Sequence, residues 1–119
     1  MEIQSPGVRL AIERGPGALV VRILELETDA DGVHQLARMI WELMERQFSY
    51  RLILEMDRVD LLRSVLIGQL LLLYNQIQDH GGLIRICGLS DYNREVLQQC
   101  RLEGHFPHYS TPTEAALGR

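Results

Sequence analysis

Apolar and polar residues alternate near the start of the chain, which is the pattern of β-strands. Apolar side chains recur at every second position between Val8 and Glu13, and a second apolar run extends from Ala18 to Leu26. The run Gly15-Pro16-Gly17 separates the two segments and supplies turn-forming residues. The pattern therefore predicts two strands that are joined as a hairpin.

The apolar spacing then changes to three or four residues, which is the period of a helix. It predicts a first helix that ends near Arg46 or Gln47, with N-cap residues in Thr28-Asp29-Ala30-Asp31. A second helix is predicted from Ser64 to His80, where Gly81-Gly82 stops it. A third helix is predicted after the N-cap Ser90, and a short final one where Thr111 is the N-cap and Pro112 the first helical residue.

Three further strands are predicted between these helices. Tyr50 to Met56 and Leu83 to Cys87 are short apolar runs of the kind that lie inside a sheet covered by helices. Phe106 to Tyr109 is expected to form a short edge strand, because Pro107 is tolerated there. The predicted order is β-β-α-β-α-β-α-β-α, which indicates an α/β fold with a mixed sheet of four to five strands and helices packed on it.

Composition places the chain among ordinary globular proteins. Its 119 residues, 46% hydrophobic and 24% charged, suit a single domain over residues 1–119 that needs no disulfide or metal. The net charge of −4 argues against nucleic acid as a partner. The N-terminus lacks a signal pattern and no apolar stretch is long enough to span a membrane, so with only two cysteines we expect a cytoplasmic protein.

The sequence offers little that would support catalysis, and we expect no enzyme and no cofactor. The chain contains no lysine, no GxSxG and no P-loop motif, which argues against Schiff-base chemistry, a nucleophile elbow and P-loop nucleotide chemistry. His105 and His108 lie near Cys100 without the spacing of a known metal site, so a surface loop is the simpler interpretation. Asp57 and Asp60 follow a buried strand and could hold a metal or nucleotide, but they are also typical turn formers.

Three segments resemble the STAS domain family. Gly81-Gly82-Leu83-Ile84-Arg85-Ile86-Cys87-Gly88-Leu89-Ser90 is similar to the family's segment in which a helix ends at glycines, a strand follows, and a Gly-Leu-Ser turn opens the next helix. The residues Val96-Leu97, Cys100-Arg101-Leu102 and Phe106 are similar to its next helix, bend and strand. Thr113-Glu114-Ala115-Ala116-Leu117 resembles its closing helix.

The resemblance implies a non-catalytic module that binds a protein partner, either an anti-sigma factor kinase or another STAS protein. The family's regulatory loop falls here on Leu61 to Leu66, and its typical Asp-Ser-Ser-Gly motif matches Arg63-Ser64-Val65-Leu66. Val65 replaces the serine that is usually phosphorylated. In stressosome-type members the phosphorylated residue lies one place earlier, and that position is Ser64.

Two interpretations of Ser64 are open. As a phosphorylation candidate at the start of a helix, it would carry a phosphate favoured by the helix dipole and by Arg63. As a plain N-cap, it would only accept hydrogen bonds from backbone N–H groups.

The predicted partner surface extends from the loop along the second helix. Val65, Gln69, Leu72 and Gln76 form an uncharged stripe opposite the predicted core side. The alternative to a partner surface is that a neighbouring helix or loop of the same chain covers Leu72. The expected partner-binding residues are Asp57, Asp60, Arg63, Ser64, Val65, Gln69 and Leu72.

The rival functions are a self-associating scaffold, which would be a homo-oligomer, and a domain that binds a small ligand or lipid.

Overall fold

A computed structural model describes residues 1–15, 17–27 and 31–118. The predicted turn residue Pro16 and the predicted N-cap residues 28–30 therefore lie outside the described residues. The strands are β1 (Glu2–Ser5), β2 (Val8–Gly15), β3 (Ala18–Leu26), β4 (Arg51–Glu55), β5 (Leu83–Cys87) and β6 (His108–Tyr109). The helices are α1 (Leu36–Arg46), preceded by a 3₁₀ turn (Asp31–Gln35), α2 (Ser64–Asp79), α3 (Asp91–Gln99) and α4 (Pro112–Leu117).

The six strands form one mixed sheet in the order β1-β2-β3-β4-β5-β6. The first three strands are antiparallel neighbours, whereas β3, β4, β5 and β6 run parallel. The expected α/β class and the parallel later half are confirmed. The expected count of four to five strands is wrong, because β1 adds an edge strand.

Strand β1 arises from a two-residue turn at the N-terminus. Ser5 pairs with Val8, so that Pro6 and Gly7 alone form the connection. Gly7 has a φ of 78°, and Pro followed by such a glycine is the sequence of a type II turn. The Pro-Gly pair was thus the local signal for this hairpin. The strand itself, Glu-Ile-Gln-Ser, is too short and polar to be recognised by its hydrophobic pattern.

The sheet separates a large core from a small one. Leu52 and Leu54 of β4 face the large core, which α1, α2 and Leu97 of α3 complete. Ile53 lies between them and faces the opposite side, where it packs with Ala115 of α4. This alternation follows from the two-residue period of a strand, and it explains why the central strand is apolar on both faces.

Two of the predicted helix caps, Ser90 and Thr111, are confirmed. The Ser90 hydroxyl accepts a hydrogen bond from Asn93 N, and the Thr111 hydroxyl accepts one from Glu114 N. Pro112 begins α4 as predicted. Among the described residues, no helix is long and apolar enough to cross a membrane.

Candidate functional site

The connection between β4 and α2 lies at the carboxyl edge of the parallel strands. Strand β4 ends at Glu55 and α2 begins at Ser64, so residues 56–63 form this loop. Met56 N donates to Cys87 O over 2.9 Å, which joins the loop to the end of β5. The carboxyl edge is where open α/β sheets place their binding sites, since the connecting loops meet there.

Asn93 of α3 fixes the shape of this loop from beneath. Its side chain is fully buried, and its Oδ1 accepts a hydrogen bond from Leu62 N over 3.0 Å. Its Nδ2 donates to Val59 O over 3.1 Å and to Asp60 O over 3.4 Å. One amide therefore satisfies three backbone groups of a segment that has no regular structure. This role of Asn93 was not predicted, because an asparagine in a helix is usually exposed.

The loop buries some apolar side chains and exposes its charges. Val59 and Leu62 are buried against the large core, whereas Leu61 is 43% exposed. Arg58, Asp60 and Arg63 are exposed. The loop is therefore seated in the fold, yet it presents an apolar side chain among charges, which suits contact with another protein.

Gly88 allows the loop and the end of β5 to approach closely. Its φ is 76°, and a Cβ added there would lie 3.2 Å from Asp57 N and 3.1 Å from the Asp57 Cβ. A side chain at this position would strain the backbone and press on the start of the loop. Gly88, which belongs to the segment that resembles the STAS family, therefore allows the loop and the end of β5 to pack closely at this edge.

Asp57 is held by an arginine of the neighbouring strand. Arg22 Nη2 lies 2.6 Å from Asp57 Oδ2, and Arg22 Nε lies 3.1 Å from Oδ1, so the pairing uses both carboxylate oxygens. The hydrogen bond from Arg22 lowers the pKa of Asp57 below its ordinary value of 3.8. The carboxylate is thus already engaged within the chain, and its part in partner binding stays a prediction.

This ion pair predicts a small, pH-dependent contribution to stability. Because both side chains are more than a third exposed, we expect Asp57→Asn to lower the free energy of unfolding by about 0.2–1 kcal/mol at pH 7. The pKa of Asp57 is lowered on folding, so the contribution is complete above pH 3.8 and declines as the pH falls through the folded-state value.

Urea denaturation of both proteins at pH 7 and at several acidic pH values measures this difference. The two proteins should converge in stability as the pH falls. A difference that stays constant or grows in acid would mean that the Arg22–Asp57 pair is not its source.

Ser64 begins α2 but does not cap it. The N-cap residue is Arg63, and no side chain supplies a cap hydrogen bond to this helix. The interpretation of Ser64 as a plain N-cap is therefore wrong, because the serine lies one position too late for its hydroxyl to reach back to the free N–H groups. Ser64 and Arg63 are both exposed, so the start of α2 is open to solvent, whereas Leu66 in the first turn is buried.

The predicted stripe along α2 is only partly exposed. Leu72 is 57% exposed and Val65 is half-buried. The prediction that Gln69 is an exposed contact residue is wrong. Gln69 is buried, and its Oε1 accepts a hydrogen bond from Ala37 N over 2.9 Å. The amide closes the junction between the 3₁₀ turn and α1, where the first free N–H groups of the helix need acceptors.

Among the described residues, the histidines and cysteines form no second candidate site beside the loop between β4 and α2. His108 Nε2 lies 3.1 Å from Leu89 N, and His105 packs against the Tyr74 ring with a centroid distance of 4.8 Å. Burial raises the pKa of Cys87 to about 12, so this thiol is protonated at neutral pH. Within residues 1–15, 17–27 and 31–118, no three potential metal ligands lie together.

Comparison with known proteins supports the assignment made from the sequence. The model of the STAS domain family matches residues 9–115. No curated protein matches the chain.

Solved structures agree with this fold over most of the chain. An anti-sigma-factor antagonist (STAS) domain protein from Planctomyces limnophilus is 23% identical, with 92% of this chain and 96% of that chain covered at a TM-score of 0.77. An anti-sigma factor antagonist from Mycobacterium paratuberculosis is 19% identical, with 98% and 97% covered and a TM-score of 0.76. The Bacillus cell fate determinant SpoIIAA in its phosphorylated form is 18% identical, with 92% and 99% covered and a TM-score of 0.68.

Proposed function

The chain belongs to the STAS domain family, and on that premise we propose that it is a non-catalytic regulatory module that docks onto a protein partner. The docking surface comprises the exposed residues of the loop and of the first turn of α2, namely Arg58, Asp60, Leu61, Arg63 and Ser64. The partner is an anti-sigma factor kinase or another STAS protein. Residues 1–119 act as one domain, and the protein works in the cytoplasm.

The observation that carries this proposal is the exposed start of a helix at the end of a loop that is held by hydrogen bonds. Arg63 and Ser64 are exposed, while Asn93 holds the preceding backbone in one conformation. Within the described part of the chain, Arg63 takes part in none of the ion pairs. A surface that is already ordered loses little conformational entropy when a partner binds, and an available arginine can pair with a partner carboxylate.

Phosphorylation of Ser64 would regulate this surface. A phosphate adds a charge of roughly −1.5 to −2 and favours the positive N-terminal end of a helix. Helix α2 has 16 residues and no acidic residue in its first turn, so the added charge would meet no repulsion from the helix itself. Arg63 makes the start of α2 positive, and the phosphate on Ser64 would make it negative.

Affinity capture from the cells that make the protein tests the docking surface. We expect immobilised wild-type chain to retain a specific partner, and Arg63→Ala to retain about tenfold less, since one charge-assisted contact is worth about that factor. Arg38→Ala is the matched control, because Arg38 is also an exposed arginine and lies on α1. Equal retention by the wild-type and Arg63→Ala proteins would contradict the proposal.

Self-association is a second candidate function, and the exposed leucines favour it. Leu61 and Leu72 are large apolar side chains that the described residues leave open to solvent. In a scaffold they would contact a second copy of the chain. Sedimentation of the purified protein separates the two candidates, because a strict monomer at high concentration speaks against the scaffold.

A further inference from the structure

A cleft with two arginines and two aromatic rings opens at the other end of the sheet. It lies between the adjoining ends of β2 and β3 and the connection from α1 to β4, and it has a volume of about 310 Å³. Among the residues that line it, Arg14, Phe48, Tyr50 and Arg51 have long side chains. The described lining contains no carboxylate, so the charge facing the cleft is positive.

Phe48 is placed in the cleft at a cost to the fold. Its φ is 52°, in the left-handed region where glycine usually follows a helix, and its side chain is 89% exposed. At the helix end, Phe48 N donates to Glu45 O and Ser49 N donates to Met44 O. A phenylalanine at this φ is strained, and its side chain buries almost no surface that would offset the strain. The ring is therefore available for contact with a molecule outside the fold.

Two neighbouring side chains, Arg14 and Tyr50, are held in place. Arg14 Nη2 donates to Gln47 O over 3.0 Å, which joins the two walls of the cleft. The Tyr50 ring stacks on His80 at 5.5 Å and lies 5.8 Å from the Trp41 ring, so its orientation is fixed from behind. Preformed walls of this kind favour a small ligand, and the volume is at the lower end of the range for ligand sites.

We propose that this cleft binds a small organic anion that carries a flat apolar ring. Arginine guanidinium groups bind carboxylate, sulfonate or phosphate oxygens, and the lining of the cleft offers two of them. The faces of Phe48 and Tyr50 would contact the ring of the ligand. The site lies at the opposite edge of the sheet from the docking surface, and the inference does not depend on the proposed function.

The test uses the dye 1-anilinonaphthalene-8-sulfonate, an anion with flat apolar rings. Trp41 is the only tryptophan of the chain and packs behind Tyr50, so quenching of its fluorescence reports bound dye, and the variants show whether the dye lies in this cleft. We expect saturable one-to-one binding. Phe48→Gly and Arg51→Ala should each raise the dissociation constant about tenfold, which is the loss of one good contact.

Two matched variants serve as controls. Tyr92→Ala removes an exposed aromatic ring at the opposite edge of the sheet, and Arg38→Ala removes an exposed arginine of α1. Both should bind the dye as the wild type does. Thermal unfolding of Phe48→Gly should give a Tm no lower than that of the wild type, because glycine relieves the left-handed conformation.

Absence of saturable binding, or equal dye affinity in all four variants, would overturn the proposal. A Tm lowered by Phe48→Gly would overturn the argument that the ring is dispensable for folding.

Discussion

Replacing Asn93 with alanine is expected to lower the free energy of unfolding by about 2–4 kcal/mol. The side chain is fully buried, and its loss leaves Leu62 N and Val59 O without their partners in a place that water does not reach. Each such unsatisfied group costs about 1–3 kcal/mol. The loop that carries the docking surface would also lose its defined shape, so partner affinity should fall together with stability.

Chemical denaturation and amide hydrogen exchange measure the two effects. Gln98→Ala is the matched control, because it removes an exposed amide from the same helix and should change stability by less than about 0.5 kcal/mol. Exchange in residues 57–63 should accelerate in Asn93→Ala and stay unchanged in Gln98→Ala. A variant that keeps both its stability and slow exchange in the loop would show that Asn93 does not hold this segment.

The second large effect is expected at Ser64. Ser64→Asp places a negative charge beside Arg63 at the start of α2, on the surface proposed to meet the partner. If the partner presents a carboxylate to Arg63, the substitution replaces an attraction by a repulsion, and affinity should fall about 10- to 100-fold. The fold itself should tolerate the change, since an acidic residue is favourable in the first turn of a helix.

Two variants separate charge from other causes. Ser64→Ala removes the hydroxyl without adding charge, and it should bind as the wild type does because Ser64 is not the N-cap. Gln78→Asp adds the same charge to an exposed position at the far end of α2, and it should also leave partner affinity unchanged. Loss of binding in Gln78→Asp would indicate that net charge alone governs the association.

Hydrophobic period and turn residues were sufficient to predict most of the fold. The apolar strands β4 and β5, the parallel arrangement of the later strands, and the caps Ser90 and Thr111 were all expected and are found. These features depend on local sequence or on burial of both faces of a strand. Strand β1 was missed because an edge strand needs no apolar stripe, and the Pro6-Gly7 turn was its only marker.

The contacts that position the docking surface were harder to predict. Gln69 and Asn93 look like surface residues in a sequence, yet each is buried because it meets a backbone group from a distant segment. Their hydrogen bonds span more than 30 residues, and no periodic pattern encodes such a pair. The error at Ser64 was smaller and of another kind, since a shift of one residue decides which side chain can cap a helix.

The affinity of the captured partner for the wild-type, Ser64→Ala and Ser64→Asp chains is the most direct measurement. We expect the wild-type and Ser64→Ala chains to bind alike and Ser64→Asp to bind at least about tenfold more weakly, while all three melt at similar temperatures. Equal affinities in all three would contradict it, since negative charge at the start of α2 would then have no influence on the contact.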